Sequence, residues 1–393
     1  DEPREALTRA LKPGASLASG ATEGPRMAKK GNRNPTPAPD PDPPESRGWD
    51  AISAACDRLY PDQPEPLHSA PPLHPPFSDG LIYGISIYRA ADPSPHWHFV
   101  TFGFSELYEK ESDDPDVSGW GFELTFRLTR VAEEDAPPNW ALNFLDNLGK
   151  YVRRSGNPFG SGHILDLNGP IAWGTDTLIR AIAFTTDSQL GAIDTPNGRV
   201  EFLQIVGLTT DEHDACSDWH TTPILDLLRE SNPLLVTDLD RASTLADPAV
   251  KARAEAGIDT EGSQSPLIYV SVAGWKVAGR GKSRTATATL GARAVGSLLP
   301  KLRSRLAHGR SFALIGREQL VSFRPGSTNG WQPDAEHENT LAVNLTPALL
   351  AKVRETLKPV RGRYEWPELP GFVLQVEPSN ITDSDGNVIE VVG

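Results

Sequence analysis

HWHFVTFGFSELYEKESDDPDVSGWGFELTFRL, residues His96–Leu128, holds two strand-like runs around an acidic segment. In the first run His98, Val100, Phe102 and Phe104 recur at period two. In the second, Trp120, Phe122, Leu124, Phe126 and Leu128 share one face, and Glu123, Thr125 and Arg127 take the other. Side chains alternate across a strand, so the pattern predicts a half-buried antiparallel sheet with one packed face. Gly103, Gly119 and Gly121 leave room for bulges or close backbone approach.

Working outward, an apolar face of Trp49, Ile52, Cys56, Leu59 and Tyr60 predicts a helix opened by Ser46 or Asp50 and ended by Tyr60–Pro64. Leu81–Tyr88 reads as a strand. Asn139 opens a second helix, Trp140, Phe144, Leu145, Leu148, Tyr151 and Val152 form its stripe, and Gly156 stops it. DTPNG (Asp194–Gly198) is a hairpin turn, and Val200–Val206 is apolar enough for a central strand. A helix opens at Thr222 and Pro223, a short strand follows at Leu234–Leu239, and Asp247, Pro248 and Gly257 bracket a further helix. Past Gly257–Pro266, strand-like runs begin at Leu267, Thr285, Phe312, Leu320, Leu341 and Phe372, interrupted by a helix at Pro347–Leu357. Lys276–Arg284 is basic and glycine-rich and reads as a loop. The expectation is an α+β protein of two lobes with mixed and antiparallel sheets. Residues 48–262 form one lobe and 263–393 a smaller one, after a disordered proline-rich tail at 1–47. Six prolines fall between Pro35 and Pro44, which no helix or ladder accommodates. Met27 is the sole methionine, and residues 1–26 read as an upstream extension.

The formal charge of −14 disfavours duplex nucleic acid and anionic membrane surfaces. No apolar run has the length of a membrane span. Two cysteines, Cys56 and Cys216, make neither a disulfide framework nor a zinc site, and fit a reducing cytoplasm.

His96 and His98 form an H-x-H pair, whose imidazoles point the same way on a strand. With Glu123 or His163 as a third ligand, the pair supports one alternative, a metal-dependent hydrolase. A buried histidine pair satisfied by backbone groups is the plainer account, and we assign no metal, cofactor or catalytic residue. Glu123 and Arg127 read as an ion pair on the solvated side. GNPFGSG (Gly156–Gly162) lacks the Gly-Lys-Ser/Thr ending of a phosphate loop and follows a helix C-terminus, the wrong end for an anion. Asp211–Asp214 reads as a solvated helix start, and no G-x-S-x-G elbow accompanies it.

Several stretches taken in order resemble the suppressor of fused family: RLYPDQP (Arg58–Pro64), HWHFVTFGFSELY (His96–Tyr108), SGWGFELTFRL (Ser118–Leu128), APPNW (Ala136–Trp140), FLQIVG (Phe202–Gly207) and VTD (Val236–Asp238). The resemblance weakens through GIDTEGS (Gly257–Ser263) and RLAHGRSF (Arg305–Phe312). It implies a non-enzymatic protein-binding module that clasps an extended peptide between two lobes by strand addition. It also implies a groove tyrosine at Tyr151, with Phe159 and His163 beside it as partner-binding residues. The family's acidic groove residue after Ser-Gly is replaced here by His163 in SGH. The long acidic insertion of animal members is absent, and the short basic loop at Lys276–Arg284 stands in its place. That departure points to a bacterial member, an immunity protein neutralising a toxin domain in the cytoplasm. An intracellular scaffold bound through the proline-rich tail is the remaining alternative.

Overall fold

The structure, a computed structural model, describes residues 45–70, 81–131, 134–335, 337–382 and 388–393. The predicted tail lies outside the described residues up to position 44, as does Met27.

The first helix, α1 (Arg47–Leu59), buries Ile52, Ala55 and Cys56. Its N-cap is Ser46, but that hydroxyl bonds the Asp50 carboxylate rather than a backbone N–H. The strands that follow are β1 (Leu67–Ser69), β2 (Gly84–Ala90), β3 (His96–Phe102), β4 (Val117–Thr129), β5 (Ile164–Asp166), β6 (Ile179–Thr186), β7 (Ala192–Thr195) and β8 (Gly198–Thr209). Among the described residues they form an eight-stranded sheet in the order β1-β2-β3-β4-β8-β6-β5, with β7 also on β8. Its pairs are antiparallel except β4 on β8, so the sheet is mixed.

The quoted stretch supplies β3 and β4, and their register is as the alternation requires: Trp97 opposite Leu128, His98 opposite Arg127, Phe99 opposite Phe126. The expectation of one solvated face is corrected. All of β3 is buried, and Glu123, Thr125 and Arg127 are fully enclosed. The helix α2 (Asn139–Ser155) covers the Trp97, Phe99 and Phe126 face with Phe144, Leu145, Leu148 and Val152. The opposite face, with Val100 and Phe102, is covered by Ile52 and Cys56 of α1. Period two reports which residues share a face, not whether a second layer lies over it. Gly103 marks where β3 leaves the sheet. Its φ is +139°, and a Cβ there would stand 2.0 Å from the Leu81 carbonyl oxygen, so only glycine fits.

Asn139 is the first helical residue of α2, after an N-cap at Pro138, and Gly156 ends the helix in the left-handed conformation. The helix expected with Thr222 as N-cap and Pro223 as its first residue starts two residues earlier, as α4 (Thr221–Arg229) after α3 (Thr210–Asp218), with His220 as N-cap. Leu234–Leu239 is not a strand. Thr237 alone bridges β4 there, donating to the Arg127 carbonyl and accepting from the Thr129 N–H. Asp247 caps α5 (Pro248–Glu261) as expected, but the helix runs through Gly257 to end at Gly262. Gly257 is small because the Trp219 ring packs on it, at 2.2 Å from where a Cβ would be.

Beyond Gly262 the predicted strands appear with added partners. β9 (Leu267–Tyr269), β12 (Phe312–Ile315), β13 (Leu320–Pro325), β14 (Gly330–Pro333) and β15 (Thr340–Leu345) make a five-stranded sheet, β14-β15-β13-β12-β9. β10 (Ala273–Ala278), β11 (Thr285–Gly291), β16 (Gly362–Tyr364) and β17 (Phe372–Glu377) make a four-stranded one, β10-β11-β17-β16. The first third of the expected basic loop, Lys276–Ala278, is therefore the end of strand β10. Helix α6 (Ala292–Ser304), absent from the sequence reading, puts Val295, Leu298 and Leu302 into the core they share. α7 (Pro347–Thr356) and the hairpin β18 (Ser379–Thr382) with β19 (Val388–Val392) complete the chain. The core after Gly262 shares no buried residue with the three cores before it. The two blocks meet through polar groups. Lys301 donates to Ser217 Oγ at 2.9 Å and pairs with Asp218 at 2.8 Å, and Arg303 bonds Asp259 and Glu255.

Candidate functional site

The residues singled out for partner binding are gathered at one end of the large sheet. Tyr151 lies in the last turn of α2, and the left-handed Gly156 turns the chain back toward β6. Phe159 then stacks between Tyr151, at 5.5 Å and 16°, and the fully buried Phe184 of β6, at 4.2 Å and 15°. The Gly162 N–H bonds the Phe184 carbonyl, and the Phe184 N–H bonds the His163 carbonyl. Thr221 donates to the Gly162 carbonyl at 2.6 Å. His163 is exposed, its ring 3.6 Å from the Cβ position of Gly160. The apolar fill of the stack anchors a short loop that delivers the chain into β5.

β5 pairs with β6 and ends the sheet order. The His163 carbonyl and the Leu167 N–H both bond toward β6. Antiparallel ladders alternate, so Leu165 faces β6 and Ile164 turns its backbone N–H outward. β9 likewise ends its sheet, pairing with β12. There the Pro266 carbonyl and Val270 N–H bond toward β12, so Leu267, 40% exposed, turns its backbone groups outward. The two edge strands lie on connected ground. Asp166 of β5 pairs with Arg293 at 3.7 Å, and Gly291, two residues before it, bonds the Val272 carbonyl just after β9. Such an arrangement offers main-chain hydrogen bonds and an aromatic shelf, the requirements for gripping an extended polypeptide.

The H-x-H pair has a different setting. His96 and His98 are both fully buried. His96 Nδ1 lies 2.7 Å from the Ser94 carbonyl, which assigns the proton to that nitrogen. His98 Nδ1 lies 2.7 Å from the Tyr60 hydroxyl, and its Nε2 is 3.4 Å from Asp187. Burial, helped by the Arg127 charge, pushes the His98 pKa down to about 4, so the imidazole is neutral and the Asp187 approach is a contact, not an ion pair. Asp187 is the hub. Its carboxylate accepts from Arg127 Nη1 at 2.5 Å and Nη2 at 3.1 Å, from Thr125 Oγ1 at 2.8 Å, and from the Gln189 and Leu190 N–H groups. Burial opposes its ionisation, but the Arg127 guanidinium beside it outweighs burial and holds the carboxyl well below the usual range.

The expected Glu123–Arg127 ion pair is corrected as well. Arg127 pairs with Asp187, and Glu123 accepts from Ser105 Oγ at 2.6 Å, Thr101 Oγ1 at 2.7 Å, and the Gly103 and Ser105 N–H groups at 2.9 Å. Burial exceeds these bonds and raises the Glu123 pKa to about 7. Glu123 and His163 do not join the histidines: among the described residues no group of three His, Cys, Asp or Glu side chains is placed to hold a metal. Asp211–Asp214 is not a solvated start throughout, since Glu212 is buried in a capping box and bonds Arg241 at 2.7 Å. Sequence reasoning passed over Asp187 because it sits in a polar turn, 60 residues from Arg127. The cysteine thiols are enclosed, and burial lifts Cys56 to about 12. No helix among the described residues is long and apolar enough to cross a membrane.

The family model for suppressor of fused protein (SUFU) matches residues 81–242, the span that holds β2–β8, Tyr151, Phe159 and His163. The human and mouse proteins named suppressor of fused homolog are each 39% identical over 236 residues, covering 55% of this chain and 48% of theirs. The chain thus spans about half the length of the curated relatives it matches. A crystal structure of Drosophila Suppressor of Fused is similar in fold, with a TM-score of 0.68 at 22% identity, over 86% of this chain and 99% of that one. A chain of a solved Sufu–Fu complex matches with a TM-score of 0.50 at 30% identity, over 53% of this chain and 97% of that one.

Proposed function

Since the chain belongs to the suppressor of fused family, a family of protein-binding modules, we propose that it works by holding an extended segment of a protein partner as an added strand, without a chemical step. The observation that carries this reading is the outward edge of β5 beside the Tyr151–Phe159–Phe184 stack. Ile164 and Leu267 supply main-chain groups, the aromatic shelf receives alternate side chains, and His163 contacts the partner at the rim. The two lobes, residues 48–262 and 263–393, flank the groove. The solved Sufu–Fu complex supports a protein as the ligand class. In its finer form the partner is a toxin domain and the chain a bacterial cytoplasmic immunity protein. The short segment at Lys276–Arg284, where animal members carry a long acidic insertion, supports that form.

Proline at Ile164 removes the outward N–H and leaves the β6 ladder intact. Ile164→Pro is therefore expected to abolish capture of the partner with an unchanged thermal transition, whereas Leu165→Pro lowers the transition itself. Titrations use the Fu protein of the solved complex and, where a neighbouring gene encodes a toxin-like domain, that domain. Full binding by Ile164→Pro and no new amide protection at Ile164 or Leu267 in hydrogen exchange would refute strand addition. Binding confined to Fu would refute the toxin form alone.

A further inference from the structure

A second surface lies at the other end of the organising strands. Tyr83 is 50% exposed, Tyr108 40% and Trp120 36%. The rings of Tyr83 and Tyr108 meet edge to face at 6.4 Å. The Tyr83 N–H bonds the Phe102 carbonyl and the Trp120 N–H bonds the Phe104 carbonyl, both at 2.8 Å. Tyr83 and Trp120 therefore border the Phe102–Phe104 segment, one on each side of it. Large aromatic side chains exposed together are uncommon on a surface that meets only water, and they are the residue types of binding hot spots.

The next stretch, EKESDDPD over 109–116, carries five carboxylates, all exposed. Its one cation does not offset them. Lys110 turns inward, donating to Glu106 at 2.9 Å, Ser112 Oγ at 2.8 Å, the Asn197 carbonyl at 3.0 Å and the Val117 carbonyl. Glu106, which Lys110 neutralises, is itself turned in and accepts from the Glu111 and Ser112 N–H groups. The loop is thus pinned in shape while its outward charge stays negative.

We propose that the exposed aromatics Tyr83, Tyr108 and Trp120, rimmed by the acidic loop 109–116, are a docking surface for an arginine-rich segment of a protein partner. Aromatic faces attract cations, and the flat guanidinium stacks on them better than an ammonium does. The carboxylates add steering and bidentate acceptors. Like charge opposes a second copy of this chain as the occupant. This surface is separate from the β5 edge and stands whether or not strand addition occurs there.

The test is fluorescence anisotropy of the full chain with a fluorescein-labelled peptide of alternating arginine and glycine, and with its lysine counterpart, at low and physiological salt. The Tyr83→Ser/Tyr108→Ser/Trp120→Thr variant is expected to bind the arginine peptide about ten-fold more weakly and to lose less for lysine. Asp113→Asn/Asp114→Asn/Asp116→Asn weakens binding and flattens its salt dependence. Glu318→Gln/Glu338→Gln/Glu355→Gln, which removes equal charge from exposed sites elsewhere, changes affinity less than about two-fold. Should Trp120→Thr compromise folding by circular dichroism, the Tyr83→Ser/Tyr108→Ser pair carries the comparison. Equal losses from the near and distant neutralisations would overturn the proposal, reducing the effect to net charge. So would unchanged binding by the aromatic variants, or a fall in their sedimentation coefficient showing that the patch covers a second copy.

Discussion

Replacing Asp187 by alanine would test what holds the centre of the large sheet. Its carboxylate faces a guanidinium that is 0% exposed. Without it Arg127 keeps two neutral acceptors, Gln204 Oε1 and Gln189 Oε1, each at 2.9 Å. Its Nε has no hydrogen-bond partner even in the intact protein. Breaking a buried ion pair from one side costs about 3–5 kcal/mol. The Gln189 and Leu190 N–H groups and the Thr125 hydroxyl also lose their acceptor, which places Asp187→Ala toward the upper end, about 5 kcal/mol. Arg127→Met leaves the carboxylate those three donors, so it should cost less, about 3 kcal/mol. The double variant should fall short of their sum by about 2 kcal/mol, because each single change orphans the group that the other removes. Urea unfolding followed by far-ultraviolet circular dichroism and tryptophan fluorescence measures all three. Single losses under about 1 kcal/mol, or additivity within about 0.5 kcal/mol, would refute the reasoning.

Two buried groups give pH dependences of opposite sign. With its folded pKa near 4 against an ordinary 6.5, His98 confers stability present above pH 6.5 that is lost as pH falls toward 4, about 3 kcal/mol in all. With its folded pKa near 7 against 4.5, Glu123 binds more protons folded than unfolded, so stability falls as pH rises from 4.5 to 7. His98→Gln should unmask that fall and Glu123→Gln the His98 rise, read as unfolding midpoints across pH 4–7. Identical pH profiles in both variants would contradict the assignments. Gly257→Ala forces a Cβ into the Trp219 ring and should cost about 1–3 kcal/mol, seen as a lower melting temperature with altered tryptophan emission; an unchanged melt would mean the ring moves freely. Cys56 and Cys216, both buried with raised pKa, should resist a thiol reagent in native buffer and react fully in denaturant. Rapid native labelling would show that the core opens.

The sequence by itself determined the local pieces. Period two set β3 and β4 and their side-by-side faces, because alternation is a property of one strand and needs no neighbour. Asp247 before Pro248, Gly156 after α2, and Pro-Asn-Gly before β8 fixed ends for the same reason: capping, the left-handed conformation and the tight turn are satisfied within a few residues. The resemblance to a family pointed to Tyr151, Phe159 and His163 as partner-binding residues, and the structure shows the first two stacked. Only tertiary structure decided what lies over each face. The α1 layer turned Arg127, Glu123 and His98 from surface charges and candidate ligands into buried groups whose partners come from distant turns. That β5 and β9 end their sheets among the described residues was equally a tertiary outcome, since an edge is defined by the strand that does not pair with it. Helix α6 was hidden although Val295, Leu298 and Leu302 recur on one face, because Gly296 and Pro300 within it read as helix breakers.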